Sequence, residues 1–300
     1  MNRRLSIVDF RLGGPFNRQT KIDDRKFLSP STCHLPPEFL MCRPTYYTIA
    51  YEINPWMSLK RQANPSKAMR QWQALYDLLT KTLGLRVRLL SPKPGVPDLI
   101  FTANAGLMHG CWFILSHFRH PQRQREVPVI ERYARRMGWR IKRLPRNFHF
   151  EGEGDALWMG QTLVFGFRFR SDAPVHERLS RLLGVSVLPL ELVDRRFYHL
   201  DTCFCPLSST SALWFPKAFD RYGRKVIERL VSDLIPVSEA DAIRFACNAI
   251  VVGRAVVLQQ GISRSLQRAL THRGLELYPL DLTEFLKAGG SAKCLALRLE

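Results

Sequence analysis

The segment Asn248-Ala249-Ile250-Val251-Val252-Gly253-Arg254-Ala255-Val256-Val257-Leu258 opens a complete structural unit. One polar residue precedes two short apolar runs, and Val252-Gly253-Arg254 between them reads as the turn of a hairpin. Ile262, Leu266 and Leu270 follow at the spacing of one helical face. Gly274 ends that helix, and residues 275–278 read as a further strand. The unit is hairpin, helix, strand.

The same unit recurs upstream. Asp201 precedes a hairpin turning near Ser208-Ser209-Thr210, and Val226, Ile227, Leu230 and Val231 mark its helix. Asp155 precedes a hairpin turning at Met159-Gly160-Gln161. A helix with Val175, Leu179, Leu182 and Leu183 follows, ended by Gly184, then a strand over residues 185–188. Asn104 precedes a hairpin turning near His109-Gly110. Its helix carries Val129, Ile130, Tyr133, Ala134 and Met137, and its strand covers residues 140–144. Asn104, Asp155, Asp201 and Asn248 are separated by 51, 46 and 47 residues. Counting back 50 residues reaches Asn54, and counting forward 46 from Asn248 reaches Cys294. A fixed period of this size indicates a repeat architecture. About five units are present, the first and last copies sharing one if the C-terminal strand pairs with the N-terminal one. Closure into a ring removes exposed strand edges and turns the marker residues toward one axis. The fold class is therefore α/β.

Ahead of the repeats, residues 1–38 lack a periodic apolar pattern and read as a basic extension; residues 39–300 form the domain, beginning at Phe39-Leu40-Met41-Cys42. Residues 46–53 read as a strand broken by Asn54-Pro55-Trp56. Asn64-Pro65 opens a helix with Trp72, Leu75, Tyr76, Leu79 and Leu83 on one face, Gly84 ends it, and residues 87–90 form a strand.

A chain of 300 residues with 46% hydrophobic content buries a sizeable core. It has no apolar run near the roughly 18 residues of a membrane helix and no secretory signal in its first fifty residues. Its seven cysteines, an odd number, fit reduced thiols and a cytoplasmic location. His199, Cys203 and Cys205 have metal-binding side chains, but no second Cys-x-x-Cys pair accompanies them; a core strand is preferred, and neither metal nor cofactor is expected. The net charge of +19 raises nucleic acid as a partner. The arginines are spread along the chain, so a solvated basic surface accounts for them equally well.

The runs around the marker residues carry chemistry. They are Pro97-Asp98-Leu99-Ile100-Phe101-Thr102-Ala103-Asn104, Phe150-Glu151-Gly152-Glu153-Gly154-Asp155, His199-Leu200-Asp201-Thr202, and Gly289-Gly290-Ser291-Ala292-Lys293-Cys294. A thiol with an imidazole makes a nucleophile with a proton shuttle. Added carboxylates suit a cationic substrate group, and a planar guanidinium matches paired carboxylates.

With these runs the chain resembles the guanidino-group modifying enzymes: arginine deiminase, dimethylarginine dimethylaminohydrolase, the amidinotransferases and arginine dihydrolase. The resemblance covers about residues 40–300 and implies their pseudo-fivefold, five-bladed α/β propeller, the pentein fold. It implies Cys294 as nucleophile, His199 as general acid and base, and Glu151 and Asp201 as guanidinium-binding carboxylates. Arg170 matches an arginine that holds the substrate carboxylate, Arg123 in Arg-Gln-Arg-Glu is a weaker match to another, and Asp98 and Phe101 match pocket-lining positions.

Asn104 stands where deiminases and dimethylargininases have an acidic residue. Together with the Tyr-Glu-Ile-Asn-Pro-Trp-Met run around Asn54, it looks most like arginine dihydrolase, which yields ornithine, ammonia and carbon dioxide without releasing citrulline. The expected substrate is arginine or a methylated arginine, with dimethylargininase or arginine deiminase as the nearest alternatives. Glu153, where the family has a small residue, has no assigned role. Pairing into a homo-oligomer is an expectation from the resemblance. A basic propeller that binds RNA or the ribosome is the non-enzymatic alternative; intact Cys294, His199 and Glu151 weigh against it.

Overall fold

The computed structural model describes residues 37–299; the basic extension expected over residues 1–38 falls, except for its last two residues, outside the described residues. Strands β1 (Glu38–Cys42) and β2 (Arg86–Leu90) pair in parallel, Phe39 opposite Val87. β3 (Gly106–His109), β4 (Trp112–Leu115) and β5 (Arg140–Arg143) form the second sheet, and β6 (Ala156–Met159), β7 (Thr162–Phe167) and β8 (Val187–Glu191) the third. β9 (Phe204–Pro206), β10 (Ser211–Trp214) and β11 (Asp233–Pro236) make the fourth; β12 (Ile250–Val252), β13 (Ala255–Gln259) and β14 (Glu276–Leu280) make the fifth. β15 (Leu297–Arg298) returns antiparallel to β1, pairing Arg298 with Phe39, and completes the first sheet. Every sheet has one antiparallel and one parallel pair, as a hairpin followed by a helical crossover requires. The result is a five-bladed α/β propeller.

Local chemistry explains the recurrence. Gly110, Gly160 and Gly253 occupy equivalent hairpin turns at φ of 54°, 59° and 58°, a region that other residues enter at a cost. The crossover helices bury one face against their sheet: Ile130, Tyr133 and Ala134 in one, Leu179 in the next, Ile227 and Leu266 in the others. Each such large side chain contributes about 1.5–3 kcal/mol. Asp220 and Ser263 cap two of these helices by accepting from backbone N–H groups within the first turn.

Asn64 caps the first helix, Pro65–Asp77, as expected, although its continuation over Leu78–Thr82 is π-helical. Residues 46–53 do not form the expected strand. β1 is already paired on both sides, by β15 and β2, so no sheet edge is left for them. The segment is fastened instead by side chains: Gln62 accepts from Ile49 N and donates to its carbonyl, and the Tyr47 hydroxyl donates to the Glu284 carbonyl. Strand β11 was missed because Asp233 and Pro236 interrupt its apolar pattern.

Candidate active site

Four inner strands are entered through a single 3₁₀ turn: Thr102–Ala105 before β3, Gly152–Gly154 before β6, Leu200–Thr202 before β9 and Lys293–Leu295 before β15. The turns carry Asn104, Glu153, Asp201 and Cys294, while Glu151 and His199 cap the second and third. The repeat thus places Asn104, Glu151, His199, Asp201 and Cys294 at or beside the turns that enter the inner strands. The turn before β12 supplies Asn248.

Cys294 is buried, and its Sγ donates to Asp201 Oδ2 at 3.3 Å. Asn248 clamps the nucleophile segment: its Nδ2 donates to Sγ at 3.1 Å and to the Asp201 carbonyl, while its Oδ1 accepts from Ser291 N and Cys294 N. Burial, and secondly the Asp201 charge, push the thiol well above its ordinary value. Burial likewise raises Asp201 to about 7, against the opposing pull of Lys293. The resting site therefore holds a neutral thiol beside a carboxyl poised near neutrality.

Across the cleft, His199 Nε2 lies 2.8 Å from Glu151 Oε2. Arg170 donates to the same oxygen at 3.2 Å, and Arg119 N donates to Oε1 at 3.1 Å. Burial works against the Glu151 charge, but Arg170 and the His199 hydrogen bond outweigh it and hold the carboxyl well below its usual range. Burial pushes His199 down to about 4 despite Glu151, leaving a neutral imidazole beside an ionised carboxylate. Behind them Ser171 joins Glu151 N to Asp155 Oδ2, locking the turn.

A narrow cleft with free room of about 10 Å³ opens between these two halves, lined by Asn54, Asp98, Phe101, Asn104, Arg123, Arg170, Tyr198 and Cys294 among others. Of the residues given a site role from the sequence, Glu151, His199 and Asp201 do not line the cleft: Glu151 contacts the lining residue Arg170, His199 contacts Glu151, and Asp201 contacts Cys294. Asn54 is spent on local structure, donating to the Ala288 carbonyl and accepting from Trp56 N and Met57 N. The weakest sequence match, Arg123, is 3% exposed. It forks onto both oxygens of Glu126 and donates through Nη1 to Asn104 Oδ1 at 2.8 Å. Arginine only donates, so this contact fixes the orientation of the Asn104 amide. Asn104 Nδ2 is then left buried without a partner among the described residues. It lies against Gly154, where a Cβ would sit 2.2 Å from it and 3.2 Å from His199 Cγ.

A thiol, a neutral imidazole and two carboxylates around one small cleft can receive a planar cation, attack it and move its protons. The sequence profile described as N,N dimethylarginine dimethylhydrolase, eukaryotic, matches residues 44–299. The chain belongs to this dimethylarginine dimethylhydrolase family. Within the wider set of similar proteins, the bifunctional arginine dihydrolase/ornithine cyclodeaminase AgrE of a Nostoc species is 44% identical over 266 residues, 87% of this chain and 37% of that protein. This chain therefore spans little more than a third of that relative's length. The Mycobacterium tuberculosis N(G),N(G)-dimethylarginine dimethylaminohydrolase is 35% identical over 264 residues, covering 87% of this chain and 85% of that one. Among solved structures, the substrate-bound N-terminal domain of ArgZ, a cyanobacterial arginine dihydrolase, superposes with a TM-score of 0.84 at 42% identity, covering 88% and 98% of the two chains.

Three residues packed around these groups escaped the sequence reading. Asn248 was recognised as a repeat marker but not as the clamp on Cys294. Tyr198, directly before His199, carries the Arg170 guanidinium 4.5 Å over its ring. Arg119 lies 51 residues before Arg170, the same interval that separates Asn104 from Asp155, so the repeat itself pointed to it. Among the described residues no cluster of potential metal ligands occurs, and Cys203 and Cys205 are packed in the core. No described helix is long and apolar enough to cross a membrane.

Proposed function

We propose that residues 39–300 form an arginine dihydrolase, converting arginine and two waters to ornithine, two ammonia and carbon dioxide. Asn104 carries this reading. Asn104 lines the cleft, and with its Oδ1 held by Arg123 its Nδ2 is a buried donor without a partner among the described residues. A guanidinium offers only N–H groups and gives that donor no acceptor, whereas the carbonyl of a ureido intermediate does. The site is thus matched to retaining the neutral intermediate for a second attack. The likeness to AgrE and to the ArgZ N-terminal domain supports the same conclusion.

In this mechanism the guanidinium enters between Glu151 and Asp201, with Arg170 as the anchor for the substrate carboxylate. The cation favours the thiolate, and Cys294 sulfur attacks the guanidinium carbon. The sulfur's proton is relayed through His199 to the departing nitrogen, ammonia leaves, and a sulfur-bound amidino cation remains. Water adds to its carbon while His199 takes a proton. The C–S bond breaks, a hydroxyl proton returns to sulfur, and the ureido amino acid is formed. In the second round sulfur attacks the ureido carbon and displaces the second ammonia. Water then releases a carbamate, which separates into carbon dioxide and the ornithine amine; that amine takes the proton left on His199. The reactive thiol requires a reducing compartment, and we assign the chain to the cytoplasm.

Dimethylargininase is the second reading, favoured by the family description and the mycobacterial relative. Counting products separates the two. The protein incubated with arginine should give ornithine with two ammonia per arginine, and Cys294→Ala none. Citrulline as the end product from arginine, or dimethylamine from dimethylarginine in its place, would overturn the dihydrolase reading. Asn104→Asp should release citrulline; a variant that still releases none would remove Asn104 from its role.

A further inference from the structure

The axis holds a second, larger cavity of about 350 Å³. Each inner strand gives it a wall, through Met108, Trp158, Phe204, Val251 and Arg298, and it extends to the hairpin turn at Gly110. Its surface is mostly apolar. Asp201, Glu153 and Lys293 form the end nearest the active site. Asp201 borders this cavity, and its Oδ2 also accepts from the Cys294 thiol, so one carboxyl touches both the cavity and the nucleophile. Its other oxygen, Oδ1, is buried without a partner among the described residues. Lys293, next to the nucleophile, closes the rest of the floor: its Nζ lies 2.5 Å from Glu153 Oε2, which also accepts from Arg298 N at 3.0 Å. Glu153, unassigned from the sequence, is the acceptor of that closure.

We propose that this cavity is a rear passage by which water reaches the sulfur-bound intermediates and ammonia departs. The inference rests on the dihydrolase reading, which demands two waters in and two ammonia out while the amino acid stays bound. The front cleft, with free room of only about 10 Å³, is far below the roughly 300–1,000 Å³ of ordinary small-molecule pockets, so a bound arginine leaves no space for water beside it. The rear passage has the complementary selectivity. Its charged side chains are the Lys293–Glu153 pair, Asp201 and Arg298, which leave no unopposed carboxylate pair for a cation, and the mostly apolar wall admits small neutral molecules. Exchange requires only that the Lys293–Glu153 pair part; the covalent steps are those already given.

Two obstructing variants test this. Val251→Trp narrows the partly exposed strand β12 wall, and Ala249→Leu fills the buried interior. Both are assayed with arginine beside the unmutated protein, with thermal unfolding to establish folding. Blocked water supply predicts a kcat lower by about tenfold with KM unchanged or reduced, and an amidino or carbamoyl adduct on Cys294 accumulating in intact-protein mass spectra. If Ala249→Leu does not fold, Val251→Trp decides alone. Folded variants with kcat within twofold of the parent and no adduct would overturn the passage and leave the dihydrolase reading standing. An unmutated protein that does not turn arginine over would overturn both.

Discussion

Replacing His199 with glutamine should change how the protein responds to acid. The imidazole is 1% exposed and pushed from its ordinary 6.5 down to about 4, burial outweighing the support of Glu151. The unfolded chain protonates this histidine near pH 6.5, whereas the folded chain resists protonation until about pH 4. Between those values the unfolded state binds more protons, so stability falls as pH falls. The loss is about 2 kcal/mol by pH 5 and about 3 kcal/mol by pH 4, starting from full stability above pH 6.5. Asp201 and Glu126, both raised to about 7 by burial, act in the opposite direction. They are present in parent and variant alike, so the difference between the two proteins isolates His199. Glutamine keeps a donor toward Glu151 but does not titrate. The parent's unfolding temperature should therefore fall about 6–12 °C further than the variant's between pH 7 and pH 4. Midpoints that decline in parallel would refute the neutral buried imidazole, and with it the use of His199 as proton acceptor in the water-addition steps.

Cys294→Ala should bind arginine without forming any product, measured by calorimetry beside the product assay, because the thiol's removal leaves Glu151 and the cleft walls in place. Gly154→Ala puts a methyl group 2.2 Å from Asn104 Nδ2, and the resulting displacement should lower kcat/KM about 100-fold while thermal unfolding shows a folded protein. Asn248→Ala strands two buried N–H groups on the nucleophile segment. It should cost about 2–4 kcal/mol in chemical denaturation, with a kcat loss that alkylation kinetics trace to a misplaced thiol.

The blades were readable because an apolar helical face and a fixed interval between marker residues recur in them, with a glycine at three of the hairpin turns. Cys294, His199 and Glu151 were legible for the same reason, standing at or beside equivalent turns. What escaped depends on partners distant in sequence. Nothing local says that residues 46–53 find β1 already paired on both sides. Arg123 was picked out by its Arg-Gln-Arg-Glu run alone; its burial against Glu126 and its contact with Asn104, 19 residues away, were not legible there. Glu153 acquires meaning only when the chain brings Lys293 and Arg298 to it across 140 and 145 residues.

The pairing of Phe39 with Arg298 joins segments from opposite ends of the propeller domain, and the nucleophile sits four residues from that clasp. Loop-closure entropy makes such a distant contact late in folding. The thiol is thus set in its desolvated niche beside Asp201 at the moment the ring locks, after the other four blades exist. A nascent or partly unfolded chain carries Cys294 as an ordinary thiol, so reactivity toward guanidines doubles as a timestamp of complete assembly. Recovery of helical content after denaturation should run ahead of recovery of turnover, with the interval between them measuring the clasp.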